Sequence, residues 1–448
     1  MSKRQKIKGE IDIRNLRCYN EFVKNTYYTE TKSPDCALCI ETNVEVYMKE
    51  RNYTIEFYRF MFAINFILVH AIMIFPLGYM GFTMSAAKDA YIYEQAFDVI
   101  LPFMIFSGYF MMQGFKKKQA KGLLNGVSPA KQAWGYLAGR IKSLMPLLLI
   151  GIFAGWLANG LWRGYTLAQY PEYFISCIGE FLGLQISGIG MGNGFVGAWG
   201  STSAAVKLLC STPMWFISGV FISGYAVYYL LAKNEERFLG WILPVVTIVF
   251  LGSCWMTDTL PLWNVILEIG QFAVNTDLIL MFIGLGIGCE IWIAVDALKK
   301  KNWSSGGKLA LSAVQLVATA VVLIRTWVSV NSGFMQNYFN IGWGPTLIYS
   351  IIFCFLILLD VDYVSRCPIT HNKIWKVPGQ MALYIYVIHF PVLIFTALAL
   401  GLKGSAARSM ANGVVVSEDV TLGILTQPDI QKLFLTFGLT IVISIILG

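Results

Sequence analysis

Arg59 and His70 carry reactive side chains and lie at a helical spacing within the first long apolar segment. Eleven steps of about 100° come to three turns plus about 20°, so in a helix both share a face, about 16 Å apart. Histidine accepts protons near neutral pH. The guanidinium of arginine is always charged and can donate two parallel hydrogen bonds to a carboxylate or a phosphate. Glu56, one turn earlier, is placed to hold the guanidinium. A plainer interpretation stays open, in which Arg59 anchors the helix at the membrane surface and His70 caps its far end.

These residues need a helix to position them, and the composition predicts one that crosses a membrane. Of 448 residues, 56% are hydrophobic and 13% are charged, about half the charged fraction of a soluble protein. Ten apolar runs approach the length of about 20 residues that spans a bilayer. They lie near residues 55–75, 96–115, 143–162, 213–232, 239–255, 274–295, 308–328, 343–360, 379–400 and 431–447. The sequence therefore predicts an all-α, polytopic transmembrane helical bundle of about ten spans.

The distribution of lysine and arginine predicts the orientation of the bundle. Ten of these residues precede the first run and seven lie in 116–142, whereas 256–273 contains none. Under the positive-inside rule, both termini are cytoplasmic. Residues 1–53 are then a polar cytoplasmic N-terminal extension, 54–448 are the membrane-embedded domain, and 163–212 are a long external loop. The net charge of +8 comes from these short clusters and does not indicate a nucleic-acid partner.

Five short stretches, in a fixed order along the chain, carry a recognisable pattern. They are Ile55-Glu56-Phe57-Tyr58-Arg59 with His70 eleven residues on, Phe106-Ser107-Gly108-Tyr109-Phe110, Arg140 with Pro146, Pro213-Met214-Trp215-Phe216, and Leu383 to Pro391 with Tyr386 and His389. Together they resemble the signature segments of acyltransferase family 3, the integral-membrane O-acyltransferases of bacterial surface glycans. The resemblance covers roughly residues 54–448.

The resemblance implies an O-acyltransferase of the inner (plasma) membrane. Such an enzyme moves an acetyl or other short acyl group from cytoplasmic acyl-CoA to a hydroxyl of a cell-surface polysaccharide or its lipid-linked precursor. Acetyl-CoA is then a co-substrate, and no tightly bound cofactor is expected. His70 would act as the base or acyl relay, with Arg59 beside it in catalysis. Arg59, Arg140 and Lys142 would bind the donor, and the cationic cluster at 116–142 would attract it.

The remaining candidates have a structural interpretation beside the functional one. His389, Tyr386 and Trp215 are candidates for positioning the acceptor, although a helix cap, an interface belt or core packing explains the same residue types. Ser107 is a candidate supporting residue, whereas serine and glycine in a membrane helix usually permit close helix packing.

The nine cysteines predict neither a disulfide framework nor a metal site. Cys36 and Cys39 form a Cys-x-x-Cys pair in the extension, but a structural zinc site needs four ligands and no histidine lies nearby. The chain also lacks the Walker, dinucleotide and His-Glu-x-x-His motifs. The sequence therefore predicts no metal and no bound nucleotide cofactor.

A second class of function fits the same residues. A polytopic transporter or flippase for a small polar or lipid-linked solute also needs about ten spans, and also places ionisable residues inside the membrane. A relative of the acyltransferases that has lost catalysis is a third hypothesis. Residue types alone do not separate these hypotheses.

The predicted orientation can be tested by cysteine labelling in intact cells. We expect a cysteine at Ser201 or Ala411 to react with an impermeant thiol reagent, because both lie in loops predicted to be external. A cysteine at Lys117 or Lys300 should stay protected until the membrane is permeabilised. Protection of the Ser201 cysteine in intact cells would overturn the orientation.

Overall fold

The computed structural model describes residues 52–74, 86–162, 164–184, 214–257, 265–269, 272–328, 343–400 and 427–447. The cytoplasmic extension predicted for 1–53, with Cys36 and Cys39, lies almost wholly outside the described residues. The long helices within them are α1 (Tyr53–Ile74), α2 (Ala86–Ala120), α3 (Pro129–Trp162), α4 (Trp215–Arg237), α5 (Leu243–Met256), α6 (Thr276–Lys299), α7 (Ser305–Val328), α8 (Trp343–Leu359), α9 (Lys376–Ala399) and α10 (Gln427–Leu447).

Each apolar run of the sequence falls on one of these helices. Eight agree with the helix bounds to within about five residues, whereas α2 begins 10 residues and α3 begins 14 residues before the predicted run. Within the described residues, five helical stretches are long and apolar enough to cross a membrane. They are Pro129–Trp162, Trp215–Met256, Thr276–Lys299, Ser305–Val322 and Lys373–Ala399. The chain is therefore a predominantly helical membrane protein.

The stretch Trp215–Met256 contains a break in the last turn of α4, before α5. Asn234 has extended backbone angles, φ −166° and ψ 98°, inside the helix. Its side-chain oxygen accepts a hydrogen bond from the backbone N–H of Arg237 at 2.8 Å, which is the pattern of a helix N-cap. One helix therefore ends here and another begins, as the separate runs near 213–232 and 239–255 predict.

A short hairpin departs from the all-α prediction. Strands β1 (Val265–Ile269) and β2 (Phe272–Asn275) pair antiparallel, with Leu267 opposite Val274. Both strands lie between α5 and α6, where the sequence predicts a loop and, from residue 274, the start of the next span. Strands this short carry too few residues for a clear alternating pattern, which is why the prediction missed them.

Helices α1 and α9 pack side by side and run in the same direction. Near the beginning of both helices, a Cβ atom added at Gly379 would collide with the Glu56 side chain. Further along, the Phe66 and Tyr386 rings meet edge to face with centroids 5.0 Å apart. The levels between are filled by a small buried cluster of Ala63, Ile67, Ala382 and Ile385. This parallel direction is the one expected for the first and ninth of successive spans.

Helices α2 and α6 approach until their backbones touch. A Cβ atom added at Gly108 would collide with the backbone of Leu285, and one added at Gly288 would collide with the backbone of Ile105. Membrane helices pack closely through such small residues. Gly108 thus has the packing role that the Ser107-Gly108 pair allowed.

The segment between α8 and α9 holds the beginning of α1. Thr54 Oγ1 donates a hydrogen bond to the Ser365 carbonyl oxygen at 2.5 Å. Just before α1, Asn52 Nδ2 donates to the carbonyl oxygen of Ile357, in the last turn of α8, at 2.9 Å. The segment is in turn fixed by Asp362, whose Oδ1 accepts two backbone N–H groups of its own turn. These bonds position the helix that carries Arg59 and His70.

The first part of the predicted external loop 163–212 folds back on α3. It contains two short helices, Tyr170–Ser176 and Ile178–Phe181. The Tyr170 hydroxyl donates to the Leu157 carbonyl oxygen at 3.1 Å. Residues 185–213 lie outside the described residues.

The α2–α6 contact predicts a stability difference between two glycines of one helix. Gly108→Ala should destabilise the protein by about 1–3 kcal/mol, because the new methyl group must displace backbone. Gly114→Ala is the matched control, since no neighbouring atom lies within 4 Å of a Cβ atom there. Thermal unfolding in detergent, followed by tryptophan fluorescence, measures both. Equal melting temperatures for the two variants would contradict the backbone contact.

Candidate functional site

Two histidines from distant parts of the chain meet inside the bundle. His389 Nε2, on α9, lies 3.0 Å from His70 Nδ1, on α1. His70 is 7% exposed and His389 is fully buried. The structure therefore places the predicted base beside a residue that the sequence suggested for acceptor positioning. We call this pair the histidine dyad.

The hydrogen bonds around the dyad assign a tautomer to each ring. His389 Nδ1 lies 3.0 and 2.8 Å from the carbonyl oxygens of Ile385 and Tyr386. Carbonyl oxygens only accept, so Nδ1 carries the proton and His389 Nε2 is an acceptor. His70 Nδ1 lies 2.9 Å from the Phe66 carbonyl oxygen, so it also carries a proton. Two acceptors share that one proton, the Phe66 carbonyl oxygen and His389 Nε2. His70 Nε2 is then the nitrogen with the lone pair.

This arrangement is the one that a general base requires. A histidine takes a proton at one ring nitrogen while a hydrogen bond at the other fixes its tautomer and orientation. His389 and the α1 backbone supply that second hydrogen bond to His70. The dyad can therefore accept a proton at His70 Nε2 without first rearranging.

Four aromatic rings form a closed circuit next to the dyad. We call them the aromatic tetrad: Phe66 of α1, Phe103 of α2, Phe216 of α4 and Tyr386 of α9. Centroid distances around the circuit are 5.8 Å from Phe66 to Phe103, 6.4 Å from Phe103 to Phe216, 5.8 Å from Phe216 to Tyr386 and 5.0 Å back to Phe66. All four distances are those of rings in contact. The His70 ring stacks over Phe66 at 6.4 Å, which joins the tetrad to the dyad.

Arg59 lies three turns from His70, near the beginning of α1. Its Nη1 donates to Glu56 Oε2 at 3.1 Å, and the side chains are 30% and 9% exposed. This is the ion pair that the spacing predicts. The carboxylate holds a partly accessible guanidinium at the end of α1 opposite the dyad.

Arg140 and Lys142, the other predicted donor residues, lie on α3. The Arg140 guanidinium carbon is 5.3 Å from the centroid of the Tyr136 ring. Tyr136 in turn stacks on Tyr228 of α4, with centroids 4.8 Å apart and planes at 17°. The Lys142 side chain is exposed. Arg59 and Arg140 thus have different immediate neighbours, one a carboxylate and the other an aromatic stack.

Two lysines at the end of α2 lie near this tyrosine stack. Lys118 Nζ lies 5.8 Å from the centroid of Tyr228, and Lys116 Nζ donates to Glu235 Oε2 at 2.6 Å. Cations over aromatic faces are stabilised by the ring quadrupole. The ends of α2 and α4 and the first part of α3 therefore form a cationic surface of Lys116, Lys118 and Arg140. Lys118 and Arg140 lie over the buried Tyr136–Tyr228 stack, and Lys116 is paired with Glu235.

Trp215 and Ser107 flank the features already described. Trp215 begins α4, is 3% exposed, and meets the Phe216 ring at 6.1 Å. It therefore adjoins the tetrad rather than the dyad. Ser107 is half-buried beside the α2–α6 contact.

The chain matches no protein-family model, no curated protein and no solved structure. The likeness to acyltransferase family 3 thus depends on the five sequence stretches, and the function must be argued from the site itself. Across the described ranges, no group of three His, Cys, Asp or Glu side chains is arranged to hold a metal ion.

Sequence reasoning missed both the dyad and the tetrad. It treated His389 as a residue apart from His70 and assigned the aromatic residues to interface belts or core. A usable signal exists, because an aromatic residue precedes each histidine by one turn: Phe66 before His70, and Tyr386 before His389. Residues three and four apart share a helix face, so each histidine carries an aromatic neighbour with it.

The tautomers can be read by nitrogen-15 NMR of histidine-labelled protein. The chain has only three histidines, so His70→Gln and His389→Gln assign the two dyad signals by their disappearance. At slightly alkaline pH we expect both rings to show a protonated Nδ1 and an unprotonated Nε2, because backbone carbonyls face both Nδ1 atoms. A His70 signal with its proton on Nε2 would contradict the assignment.

Proposed function

We propose that the protein is an O-acyltransferase of the inner (plasma) membrane. It transfers an acetyl or other short acyl group from cytoplasmic acyl-CoA to a hydroxyl of a surface polysaccharide or its lipid-linked precursor. The observation that carries the proposal is the histidine dyad, which presents a basic His70 Nε2 on the same face of α1 as Arg59. The resemblance of five sequence stretches to acyltransferase family 3 supports the same reaction.

The reaction follows from the lone pair on His70. His70 Nε2 takes the proton of the acceptor hydroxyl as its oxygen attacks the thioester carbonyl. The tetrahedral intermediate collapses, the carbon–sulfur bond breaks, and the ester remains on the acceptor. The proton on His70 then passes to the departing thiolate, which leaves as CoA thiol. Both partners end neutral, and the base is restored.

His389 acts on this reaction through His70. Protonation at Nε2 makes the His70 ring an imidazolium, which strengthens the hydrogen bond from its Nδ1 to His389 Nε2. His389 can accept that bond because its own proton stays on the carbonyl side. It is therefore a positioning residue for the base. Tyr386 and Trp215 remain proposed acceptor-positioning residues, and Ser107 a supporting one.

The donor enters at the opposite end of α1. Acyl-CoA carries several phosphate charges, and a guanidinium binds phosphate through a planar fork of donors. Arg59 would hold this end of the donor while Glu56 fixes the guanidinium. The cationic surface with Arg140 and nearby Lys142 would raise the local concentration of the anionic donor. About 16 Å then separates Arg59 from His70 along the helix, a distance that the flexible thioester arm must span.

Transfer can be tested with purified protein, radiolabelled acetyl-CoA and a mixed glycan acceptor from bacterial envelopes. Wild-type protein should label the glycan. His70→Ala should lower the rate by about 10²–10⁴-fold, the usual contribution of a general base, with acetyl-CoA affinity unchanged. Arg59→Ala should instead weaken acetyl-CoA binding, measured by calorimetry, and Arg59→Lys should restore it only in part.

The matched control is His371→Gln, which alters the third histidine, outside the dyad. It should keep full activity if the loss in His70→Ala reports catalysis. The wild-type rate should also fall on acidification, because imidazolium cannot accept a proton. Near-wild-type turnover in a folded His70→Ala variant would remove the mechanism. Solute uptake into proteoliposomes without acyl transfer would support the transporter hypothesis instead.

A further inference from the structure

The aromatic tetrad lies on the line between Arg59 and His70. Seven steps of about 100° fall about 20° short of two turns, so Phe66 shares the α1 face of Arg59 and His70. It stands about 10 Å from Arg59 and about 6 Å from His70 along the axis. Anything that moves along this face from the arginine to the dyad must pass the ring of Phe66.

The other three rings pack around this level of α1. Each comes from a different helix, and each touches the next around the circuit. Phe66 and Tyr386 are 3% and 7% exposed, whereas Phe103 and Phe216 are half-buried. A chain that passed through the circuit would have to displace at least one ring. The half-buried pair is less enclosed than Phe66 and Tyr386, so its rings are the ones that we expect to move.

We propose that the tetrad is a gate that selects acyl donors by the width of the acyl group. The proposal rests on the proposed function, in which the donor arrives from the Arg59 end with its acyl group leading. The acyl group then crosses the tetrad before the thioester carbonyl reaches His70 Nε2. The part of CoA that follows the acyl group through the tetrad is its slender thioester arm. An unbranched acyl group therefore needs no wider opening than this arm does. A branched acyl group needs more ring displacement and is rejected.

This selection concerns width rather than length. A linear acyl group can extend past the dyad once it has crossed the gate, whereas a branch at the carbon next to the carbonyl meets the rings at their narrowest approach. A packed aromatic ring moves by changing from one side-chain conformation to another, because the close-packed protein interior leaves little room for small shifts. Acyl groups with the same number of carbon atoms but different branching should therefore react at different rates.

Butyryl-CoA and isobutyryl-CoA form a matched pair of probes, since they differ only in branching. CoA release from each, with the mixed glycan acceptor present, is measured by chromatography and expressed as kcat/KM. We expect wild-type protein to prefer butyryl-CoA. Phe103→Ala and Phe216→Ala should each raise the ratio of isobutyryl-CoA to butyryl-CoA turnover by about tenfold, a typical effect of one carbon in an apolar pocket.

Phe153→Ala is the control, because Phe153 lies on α3 with its side chain 54% exposed and should leave the ratio unchanged. Phe103→Leu and Phe216→Leu serve if truncation to alanine prevents folding, and they should move the ratio in the same direction. Wild-type protein that uses both donors equally, or folded tetrad variants with the wild-type ratio, would overturn the gate while leaving acyl transfer in place. No CoA release from acetyl-CoA would overturn the proposed function and the gate together.

Discussion

The hydrogen bond between His70 and His389 is the interaction on which the arrangement of this site depends. A buried imidazole nitrogen without a partner is costly where water is absent. The arrangement therefore gives the Nδ1 proton of each ring an acceptor: His389 Nε2 and a backbone oxygen for His70, and backbone oxygens for His389. That requirement is met only when α1 and α9 are in contact at this relative height. It also determines which nitrogen of His70 is basic. One bond between helices thus links the packing of α1 and α9 to a chemical property of the site.

A single hydrogen bond in a membrane contributes on average about 0.6 kcal/mol, which cannot by itself hold two helices in register. The register is reinforced at other levels, where Glu56 fills the space left by Gly379 and the Phe66 ring meets Tyr386. Beyond the helices, Thr54 is bonded to the segment that precedes α9. Because these contacts are spread from Thr54 to His70, they hold α1 against its neighbours both at the Arg59 end and at the dyad. Arg59 and the dyad lie at opposite ends of α1, so their relative position depends on all of these contacts rather than on any one of them.

The sequence predicted the local features of this structure and missed the distant ones, for a physical reason. Apolar runs mark helices because each residue must satisfy its backbone within the membrane, and Glu56 reaches Arg59 because three residues make nearly one turn. The His70–His389 contact joins residues 319 positions apart, and no periodicity encodes a pairing at that separation. The tetrad is harder still, since its four rings come from four helices and each looks like ordinary core packing alone. The β1–β2 hairpin was missed because its strands are too short to show alternation.

The position of the tetrad bears on the choice between a transferase and a transporter. A carrier must pass its whole solute from one side of the membrane to the other, so a closed aromatic circuit beside its only buried histidine pair among the described residues would have to open by the full width of that solute. A transferase has a smaller requirement, because only the slender acyl end of the donor must cross, and the bulky phosphates stay at the Arg59 end. In the proposed transfer, the same circuit would also keep water from the thioester until the acceptor hydroxyl reaches the dyad. Arg59, the tetrad and the dyad follow one another in that order along α1. This order suits a donor that enters partway and then withdraws, and it suits a solute that crosses the whole membrane less well.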